Sequence, residues 1–515
     1  MTLHTPRLLL LTLALTVGLP AAGQSAARMA PADTQVFIHI EEPADWFAAL
    51  ADGAIGDAVR QQIEEESDLG FLLALLGMDF DEFLEAYFGE EVVVLGASAG
   101  EDEGPGIILT KVSQDNRDHL IDSFDLKRAG AIGDAPMWAS QDGNGYFVML
   151  EDWVAFCDME SLDYMQTVLE NKPADGTLAD TDAYAYWTGM LDIDRNATVL
   201  FLDGEDNRHA MSIIRSGKLM DMTYAGRSPD FDDMMLMLGD TELADFGPLP
   251  IQTIAAVSFN LKADPDQTNP LLGGLDLLTS PTSFRDDILP KLDTPSLLFL
   301  GSAGGEQTGL DVDLPVAGFA VKMKDSSAAA DLQAMMDRLV LLGNMATAET
   351  DAGPIPFKTV EYGGSTLRIA EVGKVIAPFA EWPELEPVQL VYGQVGDYYV
   401  VCTQEAFFKQ VVDAHAGGLP ARMRQEGAGH PMAVAPIMAM TARPDSLGRL
   451  LRTWLPLIEQ GELPEDIQLG FEAPGAMGQF QDFIQLLEQY SEFKLQLWRG
   501  KDGLLIGRGQ LVPPL

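Results

Sequence analysis

Two hexapeptides far apart in the chain, Asp152-Trp-Val-Ala-Phe-Cys157 and Asp397-Tyr-Tyr-Val-Val-Cys402, align without a gap, and each runs into a helix-period segment. This match constrains the fold more than any other feature. Segments that agree in strand, turn and helix imply duplication of a supersecondary unit. Each hexapeptide is a short apolar run opened by an acidic turn residue, which is how a buried strand reads. Glu160 matches Glu405 just beyond. The inner helix face carries Leu162, Met165, Val168 and Leu169 in the first copy, and Phe407, Phe408, Val411 and Val412 in the second.

The elements upstream recur in similar order. In the first copy, strands are expected at 36–40, 91–95, 106–112, 137–140 and 146–150, with helices at 79–88 and near 117–124. Phe80, Phe83, Leu84, Tyr87 and Phe88 form one apolar stripe at i, i+3, i+4, i+7 and i+8. In the second copy, a strand at 316–323 leads to a helix at 328–341, then to strands near 366–370 and 389–393. A strand-turn-helix opening also recurs, at 198–203 before a helix near 209–215 and at 433–441 before a helix at 446–458. The chain closes with an amphipathic helix around Phe480, Phe483, Ile484 and Leu487 and a hairpin turning at Asp502-Gly503. Consecutive strands joined by hairpins and short crossovers argue against a doubly wound parallel sheet. The expected class is α+β: repeated β-α-β-β-β-α units, mainly antiparallel sheets with helices packed on one face. Looser joints near 171–181 and 414–429 suggest repeat domains at 24–190 and 191–420, with a partial third repeat at 421–515.

The first 23 residues read as a secretory signal: Arg7, an apolar stretch at 8–19, Pro20, then Ala21-Ala22-Gly23 as a cleavage site. The apolar core is shorter than the roughly 20 residues a membrane span needs. No later apolar run is long enough either, so no membrane span is expected in the processed chain, which is taken as exported to the periplasm or beyond. The chain has 32 basic and 79 acidic residues, a net charge of −47. Residues 1–23 hold Arg7 and no acid, so cleavage would take that to −48. A field of this sign repels phosphates and excludes nucleic acid as a partner. With 47% hydrophobic and 22% charged residues the chain has a globular balance. Two cysteines make no disulfide framework. Cys157 and Cys402 hold equivalent positions, which suits two buried small side chains in separate cores better than a bridge.

The opener Pro31-Ala-Asp-Thr-Gln-Val-Phe-Ile-His-Ile and the segment Gly396-Asp-Tyr-Tyr-Val-Val-Cys-Thr-Gln-Glu-Ala-Phe-Phe-Lys-Gln-Val-Val, with the repeat order, cover most of the processed chain. In these the sequence resembles a family of exported bacterial proteins catalogued as the domain of unknown function thirty-three fifty-two. Both copies here carry cysteine where small residues such as serine are usual. The resemblance implies an exported envelope protein and brings no catalytic residue with it.

Chemistry-bearing motifs are few. Gly96-Ala-Ser-Ala-Gly100 has the spacing of a serine nucleophile elbow, which needs Ser98 on a strand-to-helix turn. The next segment, Glu101-Asp-Glu-Gly-Pro-Gly106, is acidic and leads to a strand. Asp192, Asp194, Asn196 and Asp203 fall at positions 1, 3, 5 and 12 of a calcium-loop pattern. Ala197 stands where the loop wants glycine, and the second half reads as a strand. The histidines show neither i, i+4 pairing nor a cysteine-rich setting, so no zinc motif is present. His39 alternates with Ile38 and Ile40 and belongs to the opposite face of its strand. Met220, Met222, Met234, Met235 and Met237 suit core packing, or an adaptable apolar surface. Asn196-Ala-Thr198 is a glycosylation sequon for a host that glycosylates. No cofactor is expected. The expectation is an exported, non-catalytic envelope protein with a binding or structural role, its partners envelope proteins or weakly held divalent cations. The alternatives are a carrier of a hydrophobic ligand and an envelope hydrolase.

Overall fold

A computed structural model describes residues 26–45, 77–98, 104–141, 143–170, 176–191, 197–203, 207–216, 219–228, 238–239, 246–260, 283–305, 309, 312–347, 353–380, 385–417, 433–460, 476–500 and 504–514. Two compact units are found, residues 1–232 with 501–512, and residues 233–500 with 513–515.

The first unit is built on β1 (Val36–Glu41), β2 (Glu91–Gly96), β3 (Gly106–Lys111), β4 (Lys127–Ile132), β5 (Ala135–Ala139), β6 (Gly145–Met149), β7 (Trp153–Asp158), β8 (Ala197–Asp203), β9 (Asn207–Ser216) and β10 (Leu219–Arg227). All pair antiparallel, in the spatial order β4-β5-β6-β7-β3-β2-β1-β8-β9-β10. Its helices are α1 (Phe80–Phe88), α2 (Gln114–Ser123), α3 (Leu162–Leu169) and α4 (Asp182–Gly189). Asp79 caps α1: its carboxylate accepts from the Glu82 backbone at 2.8 Å, and Glu82 reaches back to the Asp79 N–H at 3.2 Å.

The second unit holds β11 (Ala255–Phe259), β12 (Leu292–Ala303), β13 (Leu314–Met323), β14 (Phe357–Tyr362), β15 (Ser365–Ala370), β16 (Leu390–Val395), β17 (Tyr398–Cys402), β18 (Ala433–Ala442) and β19 (Glu492–Gly500). Its order is β14-β15-β16-β17-β13-β12-β11-β18-β19, again antiparallel throughout. Position for position, this is the order of β4 through β9 in the first unit. The helices are α5 (Ser327–Thr347), α6 (Gly373–Ala380), α7 (Glu405–His415), α8 (Pro444–Glu459) and α9 (Ala476–Glu488). The chain then returns to the first unit as β20 (Leu505–Val512), which pairs with β10 from Met220 to Gly226.

The architecture corrects the expected α+β class of β-α-β-β-β-α units with helices on one face. Antiparallel sheet dominates, and four strands, not three, lie between the helices: β4 to β7 between α2 and α3, and β14 to β17 between α5 and α7. The helices are also on both faces. Val400 and Cys402 of β17 pack with Phe407, Phe408, Val411 and Val412 of α7. The alternate residues Tyr399 and Val401 pack with Leu332, Met335, Met336 and Val340 of α5. All five residues of β17 are therefore buried, and an unbroken apolar strand is the mark of a sheet covered on both sides. Segment 209–215, expected as a helix, is the middle of β9. Pairing to β8 on one side and β10 on the other supplies hydrogen bonds that a local helix would have to match.

Candidate functional site

The N-terminal strands bring charge together at one end of the first unit's sheet. Glu41 ends β1 directly opposite Glu91, the first residue of β2. Lys111 ends β3 beside Glu91 and lies opposite Trp153 of β7, its ammonium 5.4 Å from the indole. His39 is two residues before Glu41, on the same strand face. It is buried, as is Glu91. The imidazole Nε2 lies 2.9 Å from Glu91 Oε1, and Lys111 Nζ lies 2.5 Å from Glu91 Oε2. A carboxylate only accepts, so Nε2 carries the proton. Burial alone would push the Glu91 carboxyl up. The hydrogen bonds from His39 and Lys111 outweigh it and hold Glu91 below the usual carboxylate range. Its hydrogen bond to Glu91 raises the Lys111 ammonium in turn, with Glu90 and Glu41 adding to the effect.

Two of the three, Glu91 and Lys111, line an open depression of about 840 Å³. The lining comes from the end of β1, the turn into β2 and α1, and includes Glu41, Glu42, Asp45, Asp81, Glu85 and Glu90 beside Glu91 and Lys111. Glu42 has φ 48°, a left-handed conformation that costs a non-glycine residue about 1 kcal/mol. It is held there by its N–H donating to Glu90 O at 2.7 Å and its carbonyl accepting from Asp45 N at 3.1 Å. The arrangement can hold positive charge. Within it, Glu91 is held by hydrogen bonds to both His39 and Lys111.

A second charged cluster ties α5 to its sheet. Asp337 accepts from Tyr392 Oη at 2.6 Å and from Arg368 Nη1 at 2.7 Å. Tyr399, on the same sheet face, has a buried hydroxyl without a hydrogen-bond partner. Burial drives both phenols far above their ordinary range.

The residues singled out from sequence fall elsewhere. Ser98 follows β2 in the connection to β3, where Ala97 N donates to Pro105 O at 3.0 Å. It therefore lies between two antiparallel strands, and Gly104 packs so closely that a β-carbon there would meet the Ser98 Cβ at 2.4 Å. Asp192, Asp194 and Asn196 lie outside the described residues. Asp203 ends strand β8 in register with Asn207. Among the described residues no group of three or more His, Cys, Asp or Glu side chains is placed to hold a metal ion. Cys157 and Cys402 are both buried and neither is in a disulfide, and burial lifts the Cys402 thiol to about 12. His119 and His209 bond to tyrosines, Tyr87 at 3.0 Å and Tyr224 at 2.7 Å. Met220 and Met222 pack against the apolar cluster of Ile38, Ile40 and Ile213. Met234, Met235 and Met237 lie outside the described residues, as does the turn at Asp502-Gly503.

The trio escaped sequence reasoning because its members are 52 and 20 residues apart. A signal was present: a histidine inside one apolar strand and an acid and a lysine at the ends of two others, where a charge survives burial only with a partner. Among the described residues no helix is long and apolar enough to cross a membrane. No family model matches this chain, and neither a curated protein nor a solved structure matches it.

Proposed function

We propose that this chain is an exported, non-catalytic envelope protein with a binding role, and that the depression on the first unit receives a cationic partner. One observation carries the binding role: a preformed recess on rigid strand ends, with Glu42 held in a strained conformation and Glu91 locked by its partners at its lining. Strain of this kind is kept where surrounding structure and function demand it. The choice of a cationic partner rests on the many carboxylates against a single amine among the described lining residues, in a chain of net charge −47. Export rests on the signal-like first 23 residues and on the resemblance to exported bacterial proteins.

Titration calorimetry with a linear polyamine at low salt tests the reading. Binding should weaken roughly tenfold in the double variant Glu42→Gln/Glu90→Gln, and again on adding salt, since partly exposed charges are screened beyond about 10 Å. Absence of binding, or binding indifferent to both changes, removes the depression from consideration. Turnover of a defined substrate by the pure protein removes the non-catalytic part.

A further inference from the structure

The outer edge of β14 is open. Among the described residues its only strand partner is β15. Gly363 (φ 57°) and Gly364 (φ 85°) form the two-residue turn between them. In such a hairpin the flanking residues, here Tyr362 and Ser365, exchange both backbone hydrogen bonds. Phe357, Thr359 and Glu361 therefore turn their N–H and C=O groups outward, and all three are exposed. The corresponding edge strand of the first unit, β4, is interrupted by a bulge between Arg128 and Gly130. β14 runs six residues in unbroken register, without the bulge or proline that blunts an edge against pairing. Its one lysine, Lys358, is drawn back to Glu405 at 3.0 Å. Asn344 near the end of α5 accepts from Ile355 N at 2.6 Å, which ties that helix end to the start of β14. Leu341, Leu342 and Met345 of that helix end are 58%, 49% and 65% exposed, and Phe357, two residues after Ile355, is 45% exposed.

We propose that β14 is a self-association edge, on which a second copy of this chain pairs its own β14 antiparallel across a two-fold axis. Self-complementarity of the edge selects the occupant, and charge confines it to this strand. Two copies of a chain of net charge −47 repel over most of their surfaces, and β14 with one lysine and one glutamate is locally neutral. Geometry selects the register. An antiparallel two-fold keeps both sheets' faces aligned, so opposed residue numbers sum to an even number. An axis through Thr359 sets Thr359 against Thr359 of the second copy, Phe357 against Glu361, and Lys358 against Val360. Every outward-facing backbone group is then paired, no like charges oppose, and the threonine pair is a favourable one. The Asn344–Ile355 hydrogen bond ties the apolar end of α5 to the segment that leads into this strand.

Sedimentation of the full-length chain over a range of concentrations near physiological ionic strength, where charges in contact are still felt, tests the pairing. At the axis residue 359 meets itself, so Thr359→Lys alone and Thr359→Glu alone should each weaken dimerisation by roughly tenfold or more, and an equal mixture should restore it. Thr359→Pro, which removes an outward N–H and leaves the β15 hydrogen bonds intact, should give the same loss. A chain that stays monomeric at every concentration overturns the proposal. So does a dimer that survives these substitutions, or a mixture of the charged variants that stays monomeric.

Discussion

Glu91 shows what a single side chain decides in this protein. It is almost fully buried, and its carboxylate meets both His39 and Lys111. Replacing it with glutamine keeps its shape and removes the charge both partners were placed to meet. Lys111 is one-third exposed and recovers part of its solvation, so the expected loss is about 2–3 kcal/mol rather than the full cost of orphaning a buried ion. The folded-state pKa of Glu91 is depressed. Its contribution is thus complete above the unfolded-state carboxylate value and disappears as pH falls through the folded one. Urea denaturation of the parent and Glu91→Gln should therefore show a gap near neutrality that closes under acid conditions. A gap of constant size from neutral to acid pH would show that the carboxylate is not what the site depends on. His39 was legible as belonging to the face opposite Ile38 and Ile40. Its partner on that face, Glu91, was not, because alternation assigns sides and does not say what meets them.

At the scale of elements, β17 and α7 were plain in the sequence. They carry unbroken or 3.6-period apolar residues and lie as read. Both edge strands were missed for a common reason. Lys127-Arg-Ala-Gly-Ala-Ile132 and Phe357-Lys-Thr-Val-Glu-Tyr362 are mostly exposed, so no core imposes an alternating pattern on them. The error over helices on a single face was avoidable, since five apolar residues in succession already imply two covered faces. On the α5 side of that strand, two tyrosines of similar burial lead to opposite expectations. Tyr392 donates to Asp337 and helps pin α5 to the sheet, whereas the Tyr399 hydroxyl is buried without a partner. Tyr392→Phe should cost about 1–2 kcal/mol, since a hydrogen bond to a charged acceptor is lost and Asp337 is partly exposed. Tyr399→Phe should leave stability unchanged or raise it by about 1 kcal/mol, because it removes a desolvated group that gains nothing in return. Chemical denaturation of the two variants decides this, and a destabilised Tyr399→Phe would contradict the account.

The whole molecule is not laid out along the chain in the order of its units. Residues 233–500 form the second unit almost without interruption, while the first unit takes ten strands from before residue 232 and its last from 505–512. Seven residue pairs join β20 to β10, and Leu505 and Ile506 of β20 are buried. Until these residues are made, β10 is an open edge with a full row of unpaired backbone groups. The second unit, by contrast, has all nine of its described strands in hand by Gly500. No local pattern foretells this ordering. A run such as Leu505-Ile-Gly-Arg-Gly-Gln-Leu-Val512 announces a strand and is silent on a partner nearly 300 residues away, because register is specified by packing rather than by proximity. It has a measurable consequence. A chain ending at Gly500 should lose hydrogen-exchange protection along β9 and β10 by a factor of ten or more, as befits strands left at an edge (roughly 1.4 kcal/mol per tenfold). Protection of β16 and β17, enclosed by α5 and α7, should be preserved. Equal loss in both sets of strands would mean that the two units unfold as one and that β20 serves the molecule rather than its own sheet. Preserved protection in both would mean that β10 is held by β9 alone.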